Sequence, residues 1–124
     1  MEEIHTDAAP AAIGPYSQGI VDGDRIFVSG QGAVDPETGE VVGETTREET
    51  ERTLENVAAV LEAADASLAD VVKATVFVTE MDDYEAVNEV YAEYMTEPYP
   101  ARSAVEVADL PVDIGVEIEV IASR

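Results

Sequence analysis

Arg102 and Glu117, fifteen positions apart, are the side chains in this 124-residue sequence best suited to chemistry. Arg102 is the only charge in the stretch Pro98 to Val105 (PYPARSAV), although 27% of the chain is charged. A guanidinium presents a planar fork of donors that fits a carboxylate, which a lysine ammonium does not. A carboxyl group beside it can move protons to and from water. The pair has two readings. One is a cross-strand salt bridge or interface ion pair, of the kind that contributes only ~0–1 kcal/mol on a surface. The other is an anion site, with Arg102 gripping a substrate carboxylate bidentately and Glu117 transferring protons next to it.

The remaining candidates are weaker. The chain has no cysteine, which excludes disulfides, thiolate nucleophiles and Cys-ligated metal sites. Its one histidine, His5, stands near the amino terminus, where solvent exposure is expected. Gly30 and Gly32 complete no dinucleotide or phosphate-loop fingerprint, and the acids show no metal-ligand spacing. Asn88 lies four residues after Tyr84 and three before Tyr91, on an inward helical stripe. Such an amide must be satisfied, either by local backbone or by a ligand. Tyr16, after Gly14-Pro15, and Ser29, ending an apolar strand, read as packed residues or as pocket lining.

These residues need elements to hold them. Val21-Asp22-Gly23-Asp24-Arg25 places a D-G turn between two β-prone runs, and Asp35 to Gly39 is a second turn. Thr45 with Glu48, or Thr46 with Glu49, has capping-box spacing. The helix after it carries Thr50, Leu54, Val57, Ala58, Leu61 and Ala64 inward. A strand over 71–79 is apolar on both faces, with Val72, Ala74, Val76 and Val78 against Val71, Thr75 and Phe77. Asp82 or Asp83 caps a second helix whose Tyr84, Val87, Tyr91 and Met95 point inward. Two strands, 101–108 and 114–122, end the chain.

This order gives an α+β domain with two helices on one face of a single mixed sheet, spanning 1–124. Two helices cover one face only, so the other face calls for a second copy of the chain. Pairing the last two strands with each other, antiparallel, puts Val105 and Val107 with Ile114, Val116 and Ile118. Alternation then sets Arg102, Ala104 and Glu106 on the opposite face with Glu117 and Glu119. In that arrangement Arg102 and Glu117 share the uncovered side, and the reading fails if they point to opposite layers.

Composition narrows the partners. With 28 acidic and 6 basic residues the net charge is −22, which argues against nucleic acid, since no basic patch can release its counterions. The amino terminus lacks a secretory signal, no stretch is apolar enough to span a membrane, and a soluble cytoplasmic protein is expected. An acidic surface with one lysine, Lys73, suits a salt-rich interior and points to a halophilic source. Ala8 to Val21, Ile26 to Val34 and Pro98 to Val105 are nearly free of charge, so they face a core, a subunit or a ligand.

The sequence resembles the Rid (reactive intermediate deaminase, formerly YjgF) family, most closely its RidA branch. The resemblance runs through AAIGPYSQGI at 11–20, FVSGQ at 27–31, NVAAVLEAA at 56–64 and KATVFVTEMDDYEAVNEVYAEY at 73–94. It is most specific in PARSAVEVADLPVDIGVEIEVIA at 100–122, and it covers nearly the whole chain from about residue 8. It implies a chorismate-mutase-like protomer assembled as a homotrimer with clefts between subunits. It also implies cofactor-free hydrolysis of enamines and imines, of the 2-iminobutanoate/2-iminopropanoate type, to 2-oxo acids and ammonia, a form of metabolite damage control. By the same resemblance Arg102 binds the substrate carboxylate and Glu117 positions or activates water. Tyr16, Ser29 and Asn88 then line the pocket, and no metal takes part. The family's usual cysteine two positions after the arginine is Ala104 here, so no thiol chemistry applies. A non-catalytic metabolite-binding or chaperone-like trimer is the alternative.

Overall fold

The computed structural model describes residues 1–124. Strands β1 (Glu2–Ile4), β2 (Gly19–Asp22) and β3 (Arg25–Gln31) precede helix α1 (Thr46–Glu62). Strand β4 (Val71–Val78), helix α2 (Tyr84–Tyr94), strand β5 (Ala101–Glu106) and strand β6 (Val116–Ser123) complete the order. One six-stranded sheet runs β1-β2-β3-β6-β4-β5, and only β4 and β5 are parallel. Both helices lie on one face, as the pattern of apolar residues required. No helix is long and apolar enough to cross a membrane.

Local signals account for most boundaries. Gly23 takes a positive φ in the β2–β3 turn, where a side chain would be strained. Asp35 Oδ1 accepts from the Glu37 and Thr38 amides in the second turn, which Gly39 closes, also at positive φ. Thr45 Oγ1 accepts from the Glu48 amide at 3.1 Å and caps α1. The reciprocal half of a capping box is missing, because Glu48 turns to the Glu44 amide instead. Glu49 leaves the helix end altogether and accepts from the Gly115 amide at 2.9 Å, tying α1 to the entry of β6. Asp83 occupies the N-cap position of α2, but its side chain makes no capping hydrogen bond. A short 3-10 turn, 81–83, comes first, and Glu106 of β5 accepts its Met81 amide at 2.7 Å.

The core lies between the sheet and the helices. Ala74, Val76 and Val78 of β4 and Val116, Ile118 and Val120 of β6 meet Leu54, Val57, Val60 and Leu61 of α1. Val87, Val90 and Tyr91 of α2 close it on the other side. Complete burial of side chains this size contributes roughly 1.5–3 kcal/mol each. Asn56 is fully buried on α1, a place its polarity did not suggest. Its Nδ2 donates to the Gly32 and Val34 carbonyls, both at 2.9 Å, and its Oδ1 accepts from Arg52. The amide thereby satisfies a loop that no strand reaches. Near the start of β4 a bulge between Val71 and Lys73 turns Val71 into the core and Val72 outward, reversing the expected assignment of Val72.

The expected pairing of the last two strands is wrong. β4 lies between β5 and β6, parallel to the first and antiparallel to the second. Helix α2 supplies the crossover that a parallel pair needs, so β4-α2-β5 forms one unit. The 107–115 connection then carries β6 to the far side of β4. The opposite face of the sheet has no helix, and Phe27 and Val105 stand exposed on it.

Candidate functional site

The strand order decides where the candidate residues point. Arg102 is in register with Ala74, which is fully buried beneath the helices, so Arg102 projects to the helix layer. Glu117 is in register with Phe77, one residue out of phase with the buried Val76, so it projects to the open face. The two point to opposite layers of the sheet. The expectation that they share a face is overturned, and no site inside one protomer can use both. The error lay in β5 alone: Val105, expected in the core, faces the open side, and Ala104 packs against the core instead.

Arg102 has its own surroundings. Its Nη2 donates to the Tyr84 hydroxyl at 2.8 Å and to Asn88 Oδ1 at 2.7 Å. Its guanidinium carbon lies 4.7 Å from the centre of the Tyr91 ring and 5.5 Å from that of Tyr84. Contacts of a cation with aromatic rings contribute about 0.5–2 kcal/mol. The Tyr84–Asn88–Tyr91 stripe, one helical face by its spacing, is thus the cradle of the arginine. A cavity of about 310 Å³ opens beside it, lined by Asn88, Tyr91, Ala92, Tyr99, Pro100 and Arg102. The Tyr91 hydroxyl is buried there without a hydrogen-bond partner. Burial pushes this phenol up, against the pull of Arg102.

Arg102 has no carboxylate partner. Arg47 pairs with Glu89 and Glu93, and Arg52 with Glu55, yet Arg102 is held by neutral groups in a chain with 28 acids. The salt-bridge reading of Arg102 with Glu117 is therefore absent within the protomer. A half-buried cation that lacks a counter-ion and borders a cavity is suited to an anionic ligand.

Glu117 sits in the second constellation. Burial, followed by the neighbouring Glu119 charge, raises its carboxyl above the usual range. Gly30 of β3 faces it, and a Cβ at that position would overlap the Glu117 carboxylate. Gly30 makes room for the carboxylate by what it lacks, which only the fold reveals. The ladder between β3 and β6 shifts between Val28 and Gln31, which brings Gly30 across from the carboxylate. Ser29 adjoins it, with its hydroxyl donating to the Ser17 carbonyl at 2.6 Å. That bond and the Ser29 amide to the Gln18 carbonyl hold the 13–18 segment beside β3. Tyr16 in this segment is half exposed, and its hydroxyl accepts from the Ile13 amide at 3.4 Å.

Of the five sequence-selected residues, Arg102 and Asn88 meet; Glu117 faces Gly30, the strand neighbour of Ser29, and Ser29 holds the segment that carries Tyr16. His5 is exposed. Asn88 is satisfied by Arg102, so it positions the arginine from one side of the cavity. Tyr84, Tyr91 and Tyr99 had drawn no functional reading. The uncharged stretches are only partly buried in the protomer: Ile13 is 88% exposed and Tyr99 50%. Uncharged, exposed segments beside both groups are what a subunit contact would cover.

Comparison with known proteins places this arrangement among relatives. The family model described as Endoribonuclease L-PSP matches residues 6–124. A RutC family protein of Pyrococcus abyssi is 54% identical over 123 residues, covering 99% of this chain and 97% of the relative. The 2-iminobutanoate/2-iminopropanoate deaminase of Salmonella typhimurium is 49% identical over 124 residues, covering 98% and 96%. Among solved structures, Escherichia coli TdcF with bound serine superposes with a TM-score of 0.94 at 44% identity, covering 100% of this chain and 99% of that one.

Proposed function

The chain belongs to the endoribonuclease L-PSP family, which includes the YjgF and RidA-like proteins, and from that membership we propose that it hydrolyses reactive 2-imino acids and their enamine tautomers to 2-oxo acids and ammonia. The site lies in a cleft between subunits of a homotrimer. Arg102 of one protomer faces the partner subunit's Glu117, because the two cannot meet inside one chain. The single observation that carries this reading is the half-buried Arg102, held by Tyr84 and Asn88 with no counter-ion. A substrate carboxylate supplies the missing charge.

The chemistry needs little more. Protonation of the enamine at carbon, with loss of a proton from nitrogen, gives the imine, and the imine carbon is electrophilic. Water adds to that carbon while the Glu117 carboxylate takes its proton. The same proton passes to nitrogen, giving the carbinolamine; the carboxylate then carries the new hydroxyl's proton to nitrogen, so that the C–N bond breaks and ammonia leaves as the carbonyl forms. Positioned acid–base transfer of this kind is worth about 10²–10⁴-fold, and fixed orientation adds to it. A carboxyl raised above its usual range exchanges protons more readily near neutral pH. The exposed apolar face with Phe27 and Val105, and the unpartnered edge of β5, give the trimer its contact surface.

Ribonuclease activity fits the chain poorly. At −22, with Arg47, Arg52, Arg102 and Arg124 engaged inside the protomer, no basic surface is left to grip a phosphate backbone. The test of the proposal is a coupled assay in which a dehydratase generates 2-iminobutanoate from threonine and the chain is added. Faster appearance of 2-oxobutanoate and ammonia is expected. A rate equal to the uncatalysed one, with the 2-oxo acid still bound, would leave only a metabolite-binding trimer.

A further inference from the structure

The hydrogen-bond donors of Arg102 carry more than its role as an anchor, provided that the proposed anion site holds. A guanidinium has five N–H donors but only two edges that can hold a carboxylate at two points. One edge joins Nη1 to Nη2, the other joins Nε to Nη2, and each uses a different Nη2 hydrogen. Nη2 already donates twice, to the Tyr84 hydroxyl at 2.8 Å and to Asn88 Oδ1 at 2.7 Å, as many bonds as it has hydrogens. Neither edge is free. A two-point grip on a carboxylate requires one partner to let go.

The partners are unequal. An amide carbonyl oxygen is a strong acceptor, and turning the Asn88 amide would aim its own donors at a cation. A phenol oxygen is a weaker acceptor, because its lone pair is shared with the ring. Tyr84 is also partly exposed, so water can solvate its hydroxyl once it is released. We propose that the Tyr84 hydroxyl is a placeholder for a substrate carboxylate oxygen, occupying Arg102 Nη2 in the empty site and yielding to an anionic ligand. Exchange of a neutral acceptor for a charged one favours a carboxylate. A neutral amide or ester has only another neutral oxygen to offer, so it gains little by the exchange. Tyr84 is in this sense a positioning residue that biases the site toward acids.

Tyr84→Phe keeps the ring beside Arg102 and removes only the competitor. The KM for 2-iminobutanoate should fall roughly two- to tenfold, the equivalent of one net hydrogen bond, with kcat changing less than KM. Calorimetric titration with 2-oxobutanoate, which needs no turnover, should tighten by a similar factor. Weak binding of 2-oxobutanamide should tighten by a larger factor, narrowing the preference for the acid. An unchanged or raised KM and dissociation constant overturn the placeholder and make Tyr84 a fixed strut or a donor to substrate. Arg102→Ala separates the two levels. If it abolishes 2-oxobutanoate binding while Tyr84→Phe changes nothing, only the placeholder fails; if it leaves binding intact, the anion site itself fails.

Discussion

Mixing two inactive variants tests the division of the site directly. Arg102→Ala removes the proposed carboxylate anchor, and Glu117→Ala removes the proposed proton carrier. Each homotrimer should fall to nearly the uncatalysed rate, given about 10²–10⁴-fold from the carboxyl alone. Arg102 projects to the helix layer and Glu117 to the open face, so in the proposed trimer each working site draws one of them from each of two neighbours. Random assembly from equal amounts of both variants gives an intact arginine about half the time. The neighbour carries an intact glutamate about half the time, so about one quarter of the sites are whole. Trimers purified through two different tags contain both variants, and each then has one good site, about one third of the wild-type activity. The assay follows 2-oxo acid formation from imine generated in place, with native mass spectrometry to count hybrid trimers. Hybrids that form and show no recovery would refute the cross-subunit site.

Three further outcomes are set by the geometry. Gly30→Ala places a methyl group where the Glu117 carboxylate lies, so kcat/KM should fall at least about tenfold while oxo-acid binding, which depends on Arg102, is retained. Because Glu117 holds its proton more tightly when folded, stability falls as pH rises through the window between its unfolded and folded pKa. Glu117→Gln should abolish that loss, stabilising the chain above the window in urea titrations while lowering kcat; equal pH dependence in both proteins would contradict the raised carboxyl. With a net charge of −22, thermal stability should climb as salt increases from ~0.1 to ~1 M, where the Debye length shrinks from about 10 to 3 Å. A melting temperature independent of salt would show that self-repulsion is unimportant.

Much of the molecule was legible from residue pattern alone, because its causes are local. The Asp22-Gly23 and Asp35–Gly39 turns, the Thr45 cap and the apolar stripes of both helices depend on neighbours within a few positions. So did the count of layers, because two amphipathic helices cover one face. The chemical identity of Arg102 and Glu117 also stood out, since an arginine in an uncharged stretch is conspicuous in any acidic chain.

What sequence could not settle was which strands become neighbours. Pairing β5 with β6 satisfied every local rule, but the crossover through α2 favours β4 beside β5, and that contact links residues far apart in the chain. One change of partner inverted β5, sending Arg102 beneath the helices and Val105 outward. It also assembled the tyrosine cradle and put Gly30 against Glu117. Side-chain type is written in the residue itself, whereas facing and proximity are properties of the whole hydrogen-bonded sheet.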